Sequence, residues 1–241
     1  KDMIYRLNRI SLNLLLIIFG LSIALGCSQD VYTPYEADQD LDPKFRETSD
    51  WYSYAGKGST RSSDLTQIDI DNVDDLKVSW IFRSGDISDG FQTTPIISNG
   101  ALIFCTPHNK VVALDPLLGA EIWRYDPSIP ELDYANKANC RGVAQWNLNK
   151  KEQRSGRCDS VVYLATNDAR LIALDARDGN KCNSFGQQGE IDLKVGVGKH
   201  TGEGDYQVTS PPAVISNVVV VGSAISDNER IDAPSGVVRG F

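Results

Sequence analysis

The cysteines are the residues whose spacing first suggests chemistry in this sequence. Of the five cysteines, Cys27 lies near the N-terminus, and Cys105, Cys140, Cys158 and Cys182 lie in the body of the chain. In an oxidising compartment, four cysteines allow up to two disulfides with three possible connectivities. We predict that Cys140 pairs with Cys158, because these two cysteines flank one insertion.

Other chemistries of cysteine, histidine and serine find little support. Cys105 and His108 have a gap typical of metal ligands, but the chain has only two histidines and no second cysteine pair with the spacing of a zinc site. The sequence contains no Gly-x-Ser-x-Gly segment, which argues against a serine hydrolase. The formal net charge of −8 would repel a phosphate backbone, so nucleic acid is not an expected partner.

The N-terminal segment has the pattern of an export signal. Met3 is followed by Arg6 and Arg9 and then by an apolar run from Ile10 to about Ala24, an order of residues typical of a signal peptide. The run is about 15 residues long, shorter than the ~20 that a transmembrane helix needs. We therefore predict a cleaved or anchoring signal on an exported, periplasmic and membrane-anchored protein.

The end of this signal, Ala24-Leu25-Gly26-Cys27-Ser28, resembles the lipobox of bacterial lipoproteins, in which the cysteine is lipidated. We predict lipidation at Cys27, with simple secretion and an uncleaved anchor as the alternatives. Residues 28–49 are polar and acidic without an apolar period, which is typical of a solvated linker. The predicted signal thus covers residues 1–27, and the folded domain begins at Asp50.

From there on, the sequence consists of short runs of β-forming residues separated by turn residues, with no stretch of helical period. Asn99-Gly100 predicts a tight hairpin, because both residues tolerate the positive φ that such a turn requires, and Ser216-Asn217 is a second candidate turn. The pattern favours an antiparallel, all-β fold. Strands are predicted at Lys77–Phe82, Thr93–Ser98, Ala101–Cys105, Lys110–Leu114, Ser160–Ala165, Arg170–Leu174, Val208–Ile215 and Val218–Val221.

A sequence repeat narrows the choice of all-β architectures. Val111–Asp126 (VVALDPLLGAEIWRYD) recurs at Leu171–Gly186 (LIALDARDGNKCNSFG), 60 residues later, and a third copy begins with VVRGF, which ends at Phe241. Repeats of about four short strands are typical of β-propeller blades, since one blade cannot bury its faces without neighbours. About three blades are predicted, which are too few to close a propeller and indicate part of a longer protein.

Six segments, in order along the chain, resemble the dehydrogenases that depend on pyrroloquinoline quinone (PQQ), especially the membrane-bound glucose and quinate dehydrogenase branch. The resemblance covers nearly all of residues 50–241 and implies an eight-bladed propeller, of which this chain would form the N-terminal part. The segments are Asp50–Gly85, Cys105–Asp115, Cys140–Trp146 (CRGVAQW), Val162–Gly179, Thr209–Val214 (TSPPAV) and Ser226–Phe241.

The resemblance also implies blades joined by tryptophan-docking motifs of the form Ala-x-Asp-x-x-x-Gly-x-x-x-Trp. Ala113–Trp123 matches this motif, whereas the copy that begins at Ala173 lacks the tryptophan. A weaker junction is therefore expected after the second copy. Blade packing, rather than cofactor contact, is the expected role of Trp51, Trp80 and Trp123.

PQQ carries three carboxylates and an ortho-quinone, so its site needs a fixed cation and hydroxyl or amide donors. In this family the arginine of the Arg-Gly-Val segment contacts the cofactor, which implies that role for Arg141. Its planar guanidinium can bind a carboxylate bidentately, which a lysine cannot do. Thr166, Thr209 and Ser210 stand where the family has hydroxyl donors to PQQ, although hydroxyls at strand ends are also common turn formers.

Asp227 and Asn228 match the position from which the glucose dehydrogenase branch supplies oxygen atoms near Ca²⁺. Hard oxygen ligands suit calcium, which would act as a Lewis acid on the quinone carbonyl. An Asp-Asn pair is also a common turn. Lys137 stands where glucose dehydrogenases have a histidine, and this departure argues against glucose itself as the substrate.

The resemblance implies PQQ- and Ca²⁺-dependent oxidation of a sugar, polyol or alcohol hydroxyl in the periplasm, with electrons passing to a respiratory quinone or cytochrome. An aspartate base takes the hydroxyl proton while hydride moves to the cofactor. The family's catalytic aspartate lies beyond Phe241, so this chain alone is expected to be inactive. The alternative is a non-enzymatic propeller lipoprotein, a scaffold of the outer-membrane assembly type, which would need the blades but not Arg141, Thr166 or Asp227.

Overall fold

The computed structural model describes residues 51, 53–56, 60–63, 65–87, 90–130, 137–148, 156–199 and 204–241. The predicted signal, Cys27 and the acidic linker lie outside these residues. Within them, the secondary structure is β-strands and one short 3-10 helix, Val73–Asp75. None of the described helices has the length and apolar character needed to cross a bilayer.

The first four strands form an antiparallel sheet, which we call blade 1. Its strands are β1 (Ile96–Ser98), β2 (Ala101–Cys105), β3 (Val111–Leu114) and β4 (Glu121–Tyr125), in the order β1-β2-β3-β4. Asn99 and Gly100 connect β1 to β2 with φ values of 49° and 75°. These positive values confirm the predicted hairpin.

The next four strands form a second sheet of the same order, blade 2. Its strands are β5 (Ala144–Asn147), β6 (Ser160–Ala165), β7 (Arg170–Asp175) and β8 (Glu190–Asp192). The aligned strands β3 and β7 are both central in their sheets, as the sequence repeat requires. The two blades therefore confirm that the repeat encodes one structural unit.

The remaining strands belong to a third, smaller set. β10 (Ala213–Ile215), β11 (Val218–Val221) and β13 (Arg239–Gly240) form one antiparallel sheet, and β9 (Tyr206–Gln207) pairs with β12 (Ala224–Ile225). Ser216, at φ 55°, lies in the predicted turn between β10 and β11. The all-β, partial-propeller fold predicted from the sequence is confirmed.

Apolar layers hold these sheets face to face. One layer joins blade 1 to blade 2 through buried side chains such as Ile103, Val111, Leu164 and Ile172. A second layer joins the other face of blade 2 to the third set of strands. Burial of both faces explains why β6 and β7 are nearly continuous apolar runs rather than alternating ones.

Two tryptophans contribute to the apolar packing on the two faces of blade 1. Trp123 is buried in the layer between the blades, and its Nε1 donates a hydrogen bond to the Ala176 carbonyl at 3.1 Å. A Cβ atom on Gly179 would lie 2.5 Å from the Trp123 ring, so only glycine leaves room for it. Trp80 makes the same arrangement against Gly119 of blade 1. The expected packing role is confirmed for both tryptophans.

One predicted strand does not form. Residues 77–82 have no ladder partner among the described residues and are not a strand. Trp80 and Phe82 nevertheless pack against the apolar face made by Phe104, Val112 and Leu114. The alternation of side chains in this segment reflects that packing, because a strand also requires a neighbouring backbone to pair with.

The predicted disulfide between Cys140 and Cys158 is wrong. Cys105 pairs with Cys140 across a Cα–Cα distance of 6.0 Å, and Cys158 pairs with Cys182 across 5.8 Å. The sheets decide this pairing: Cys105 ends β2 beside the connection that leads into blade 2, while Cys158 and Cys182 both lie within blade 2. The positions of Cys140 and Cys158 on either side of one insertion therefore did not predict which cysteines are close in space.

Candidate functional site

A cavity of about 710 Å³ opens where blade 1, the entry to blade 2 and the third set of strands meet. Four short connections line it, and none of the lining residues lies in a central strand of either blade. The lining residues are Gly90, Gln92, Lys137, Ala138, Asn139, Arg141, Val208, Thr209, Ser210, Gly222, Ser223 and Ala224.

Arg141 is held in the wall of this cavity by both its backbone and its side chain. Its amide donates to the Thr209 carbonyl at 3.0 Å, and its carbonyl accepts from the Thr94 amide at 3.0 Å. The guanidinium donates from Nη1 to Thr209 Oγ1 at 2.5 Å and from Nε to Gln92 Oε1 at 3.2 Å. The structure thus brings together Arg141 and Thr209, two of the four residues expected to contact PQQ.

Ser210 follows Thr209 in the same wall, with an exposed side chain. Thr166 lies elsewhere. Its buried hydroxyl donates to Asp168 Oδ1 at 2.5 Å and accepts from the Arg170 amide at 2.9 Å, so it closes the turn between β6 and β7. Its carbonyl accepts from the amide of the lining residue Val208 at 3.1 Å, which places Thr166 behind the wall rather than in it.

Asp227 and Asn228 lie in an exposed turn directly after β12 and do not line the cavity. The turn is closed by the Glu229 amide, which donates to the Ser226 carbonyl at 3.1 Å. Within the described residues, no three histidine, cysteine or acidic side chains converge as a metal site.

Sequence reasoning missed three polar residues of the wall, Gln92, Asn139 and Ser223. Gln92 Oε1 accepts from Asn139 Nδ2 at 2.8 Å as well as from Arg141. Asn139 Oδ1 and Ser223 Oγ are buried and have no hydrogen-bond partner among the described residues. Asn139 lies two residues before Arg141, and this neighbourhood was the available signal. Gln92 and Ser223 had none, because only the fold brings their connections here.

The charge of the wall differs from that of the whole chain. Lys137 and Arg141 are its charged residues, and no carboxylate is among the described residues that line it. The chain as a whole carries a net charge of −8. A concave surface whose described residues include two cations and no carboxylate concentrates positive potential and favours an anionic ligand.

Comparison with known proteins identifies the family of the chain. Residues 51–241 match the family described as glucose/ethanol/alcohol dehydrogenase, beta-propeller domain. The quinoprotein glucose dehydrogenase A of Acinetobacter calcoaceticus is 35% identical over 211 residues, which cover 80% of this chain and 26% of that protein. The quinate/shikimate dehydrogenase (quinone) of Acinetobacter baylyi is 32% identical, over 83% of this chain and 27% of its own length.

Among solved structures, the quinohemoprotein alcohol dehydrogenase from Comamonas testosteroni is similar, with a TM-score of 0.58 and 28% sequence identity. The match covers 78% of this chain and 26% of that protein. The chain thus spans about a quarter of the length of its curated relatives. The family match, over residues 51–241, extends over both blades and the third set of strands.

Proposed function

Because the chain belongs to the glucose/ethanol/alcohol dehydrogenase β-propeller family, we propose that its cavity forms one wall of the PQQ site of a quinoprotein dehydrogenase. The observation that supports this proposal is the wall around Arg141, whose charged residues, among those that the structure describes, are Lys137 and Arg141. PQQ is a tricarboxylate, and a guanidinium with fixed geometry is well suited to bind a carboxylate.

The residues of the wall fit such a ligand. Arg141 and Thr209 would hold a carboxylate, with Lys137 adding a second positive charge and Ser210 a hydroxyl. Buried polar atoms in proteins nearly always have a hydrogen-bond partner, and Asn139 Oδ1 and Ser223 Oγ, which have none among the described residues, would accept or donate hydrogen bonds to polar atoms of such a ligand. Thr166 would act indirectly, by supporting Val208 through its carbonyl.

Bound PQQ would supply the capacity to accept two electrons from an alcohol carbon, and this chain's part would be to bind and orient the cofactor. The proposed reaction is the oxidation of a sugar, polyol or alcohol hydroxyl in the periplasm. A respiratory quinone or cytochrome would take the electrons, and membrane attachment would come from the N-terminal segment. Two relatives are named for glucose and for quinate or shikimate, which supports a hydroxylated carbon compound as the substrate.

We also propose that Asp227 and Asn228 contribute oxygen ligands to a Ca²⁺ beside the cofactor. Their turn follows β12 directly, and Ala224 of that strand lines the cavity. Calcium takes 6–8 oxygen ligands, so the remaining ligands would come from the cofactor and from other residues of the protein.

Titration with PQQ in the presence of Ca²⁺, followed by quenching of tryptophan fluorescence, tests the proposed site. We expect Arg141→Ala to weaken saturable binding by about 10- to 100-fold, since hydrogen bonds to charged groups contribute about 1.5–3 kcal/mol. The PQQ affinity of Arg141→Lys should lie between those of the unmodified chain and Arg141→Ala, because lysine keeps the charge but lacks the planar guanidinium.

Arg157→Ala is the matched control, because it also removes one arginine. That side chain is 65% exposed, and it lies 3.9 Å from Asp178 rather than in the cavity wall. We expect it to bind PQQ like the unmodified chain. Equal affinity in the Arg141→Ala and Arg157→Ala variants, or no saturable binding by the unmodified chain, would contradict the proposal.

A further inference from the structure

The connection that carries Arg141 is attached to blade 1 by a covalent bond. We call residues 137–141 the cavity segment, since Lys137, Asn139 and Arg141 all line the cavity. Cys140, within this segment, forms a disulfide with Cys105 at the end of β2. Both cysteines are almost fully buried, at 2% and 0% exposure, so the bond joins the cavity segment to the interior of the sheet.

The segment lies outside the strands, and hydrogen bonds also attach it to neighbouring connections. The Thr94 amide donates to the Arg141 carbonyl, and the Arg141 amide donates to the Thr209 carbonyl, each at 3.0 Å. Asn139 Nδ2 donates to Gln92 Oε1. Continuous pairing begins only at Ala144, where β5 starts. Isolated hydrogen bonds of this kind open locally more easily than the central strands of a sheet.

We infer that the Cys105–Cys140 disulfide is the positioning element that holds Arg141 and Asn139 toward the cavity. A residue next to a buried covalent link has little freedom to change its backbone angles, so the guanidinium is placed before any ligand arrives. Preorganisation of this kind increases affinity by removing the entropy cost of ordering the site. This inference rests on the proposed PQQ site for its functional consequence, but the positioning itself is a property of the chain.

The second disulfide provides an internal comparison. Cys158 and Cys182 both lie in blade 2, and the Cys182 amide donates to the Ala173 carbonyl of β7 at 2.9 Å. Neither cysteine lines the cavity. Both disulfides close loops of similar size, with sequence separations of 35 and 24 residues, so their general effects on stability should be similar. They should differ only in their effect on the cavity segment.

Amide hydrogen exchange on the full chain tests this difference. In Cys105→Ala/Cys140→Ala we expect the Thr94 and Arg141 amides to exchange about tenfold faster or more, while the Cys182 amide stays within about twofold. Cys158→Ala/Cys182→Ala should do the reverse, with faster exchange at position 182 and little change at Thr94 and Arg141. Equal acceleration at all three amides in both variants would show general destabilisation and overturn the inference.

A third variant separates the covalent link from the packing of its sulfur atoms. Cys105→Val/Cys140→Ala refills apolar volume beside Ile96 and Val143, which belong to the same buried cluster. We expect it to recover thermal stability relative to the double-alanine variant, yet to retain fast exchange at Thr94 and Arg141. It also serves if the double-alanine variant does not fold. Normal protection at both amides without the disulfide would overturn the inference.

PQQ titration of the same variants connects positioning to binding. We expect Cys105→Ala/Cys140→Ala to lose about tenfold in affinity, as when a site must be ordered during binding, and Cys158→Ala/Cys182→Ala to bind normally. If the unmodified chain shows no PQQ binding, the proposed function fails while the exchange data still decide the positioning role. If it binds and both double variants bind equally well, the inference fails and the proposed function stands.

Discussion

Blade 1 and blade 2 build the same turn on Thr106 and Thr166, which lie 60 residues apart, in register with the sequence repeat. The Thr106 amide donates to the Lys110 carbonyl at 2.8 Å, and the Thr166 amide donates to the Arg170 carbonyl at 2.9 Å. Each hydroxyl accepts from the backbone amide four residues later, at 3.1 Å in blade 1 and 2.9 Å in blade 2. The backbone of this turn is thus a property of the repeat.

The carboxylate that receives each hydroxyl differs. In blade 2 it is Asp168, two residues along the chain, which also forms an ion pair with Arg170 at 2.7 Å. In blade 1 it is Asp86, 20 residues before Thr106, which also accepts from His108. Burial raises the pKa of Asp86, but hydrogen bonds from Thr106 and His108 outweigh it and hold the pKa below its ordinary value.

This difference shows how one repeat can serve two purposes. In the blade 2 turn, the carboxylate that accepts from the threonine hydroxyl lies within the same five residues. The blade 1 turn instead fixes a distant segment, the one that carries Trp80 and Phe82 onto the face of the blade. Asp86 therefore helps to hold this segment against the sheet of blade 1. Elsewhere in the molecule, pairing with a neighbouring strand has that role.

A second pair of equivalent residues, Asp115 and Asp175, differs in burial and in hydrogen-bond donors. Asp115 accepts from the Leu117 amide at 2.8 Å in an exposed turn. Asp175, its counterpart, is 1% exposed and accepts from the Cys158 amide at 2.7 Å and from the Arg177 guanidinium at 2.9 Å. Burial raises the pKa of Asp175, but the hydrogen bonds from Arg177 and Cys158 prevail and lower it to about 2.

The largest effect should come from the tryptophans that pack on the two faces of blade 1. We expect Trp123→Ala to lower the free energy of unfolding by about 3–5 kcal/mol, the usual cost of removing a buried tryptophan. Trp80→Ala should cost less, because Trp80 packs on the outer face of blade 1 and is only partly buried. Urea denaturation of the two variants measures the difference. Equal losses of unfolding free energy would mean that Trp123 and Trp80 contribute equally despite their different burial.

An intermediate effect on the free energy of unfolding is expected at Asp175, the buried carboxylate whose counterpart in blade 1 lies in an exposed turn. Asp175→Asn should lower the free energy of unfolding by about 2–3 kcal/mol, because hydrogen bonds to charged groups contribute about 1.5–3 kcal/mol each. The matched control, Asp115→Asn, changes the equivalent exposed turn and should cost about 1 kcal/mol or less. Urea denaturation at neutral pH compares them, and a control that is as unstable as Asp175→Asn would refute the distinction.

The smallest expected effect is the pH dependence of the difference in stability between the unmodified chain and Asp175→Asn. A carboxyl whose pKa is lowered by folding stabilises the folded state above its unfolded pKa, and this stabilisation is lost as the pH falls toward the folded pKa. For Asp175 the loss falls between about pH 4 and the folded value of about 2. The stability gap between the unmodified chain and Asp175→Asn should therefore narrow by about 1–2 kcal/mol over that range. A constant gap in acid denaturation would contradict the role of the charge.

Sequence reasoning was accurate where the signal is local. The bounds of β2, β6 and β11 match the predicted strands to the residue, and the Asn99-Gly100 hairpin forms as expected. β-forming runs and turn residues act through the φ and ψ preferences of a few neighbouring residues, and their periodicity is visible without the fold. The repeat, and with it the blade architecture, could be recognised for the same reason.

Local sequence signals predicted only some residues of the candidate site. Arg141, Thr209 and Ser210 lie in the cavity wall, whereas Thr166 closes a turn behind it. Hydroxyl residues at strand ends serve both purposes, and the sequence does not say toward which side a strand end faces.

The sequence by itself determined the all-β class, the repeating blades and the tryptophan that joins them, because each depends on short-range preferences or on a motif of fixed spacing. Only the tertiary structure decided that Cys105 pairs with Cys140, that residues 77–82 lack a ladder partner among the described residues, and that Gln92, Asn139 and Ser223 meet around Arg141. Those outcomes depend on which connections the stacked sheets bring within a few ångströms of each other. That distance is set by the packing of whole blades and not by the spacing of residues along the chain.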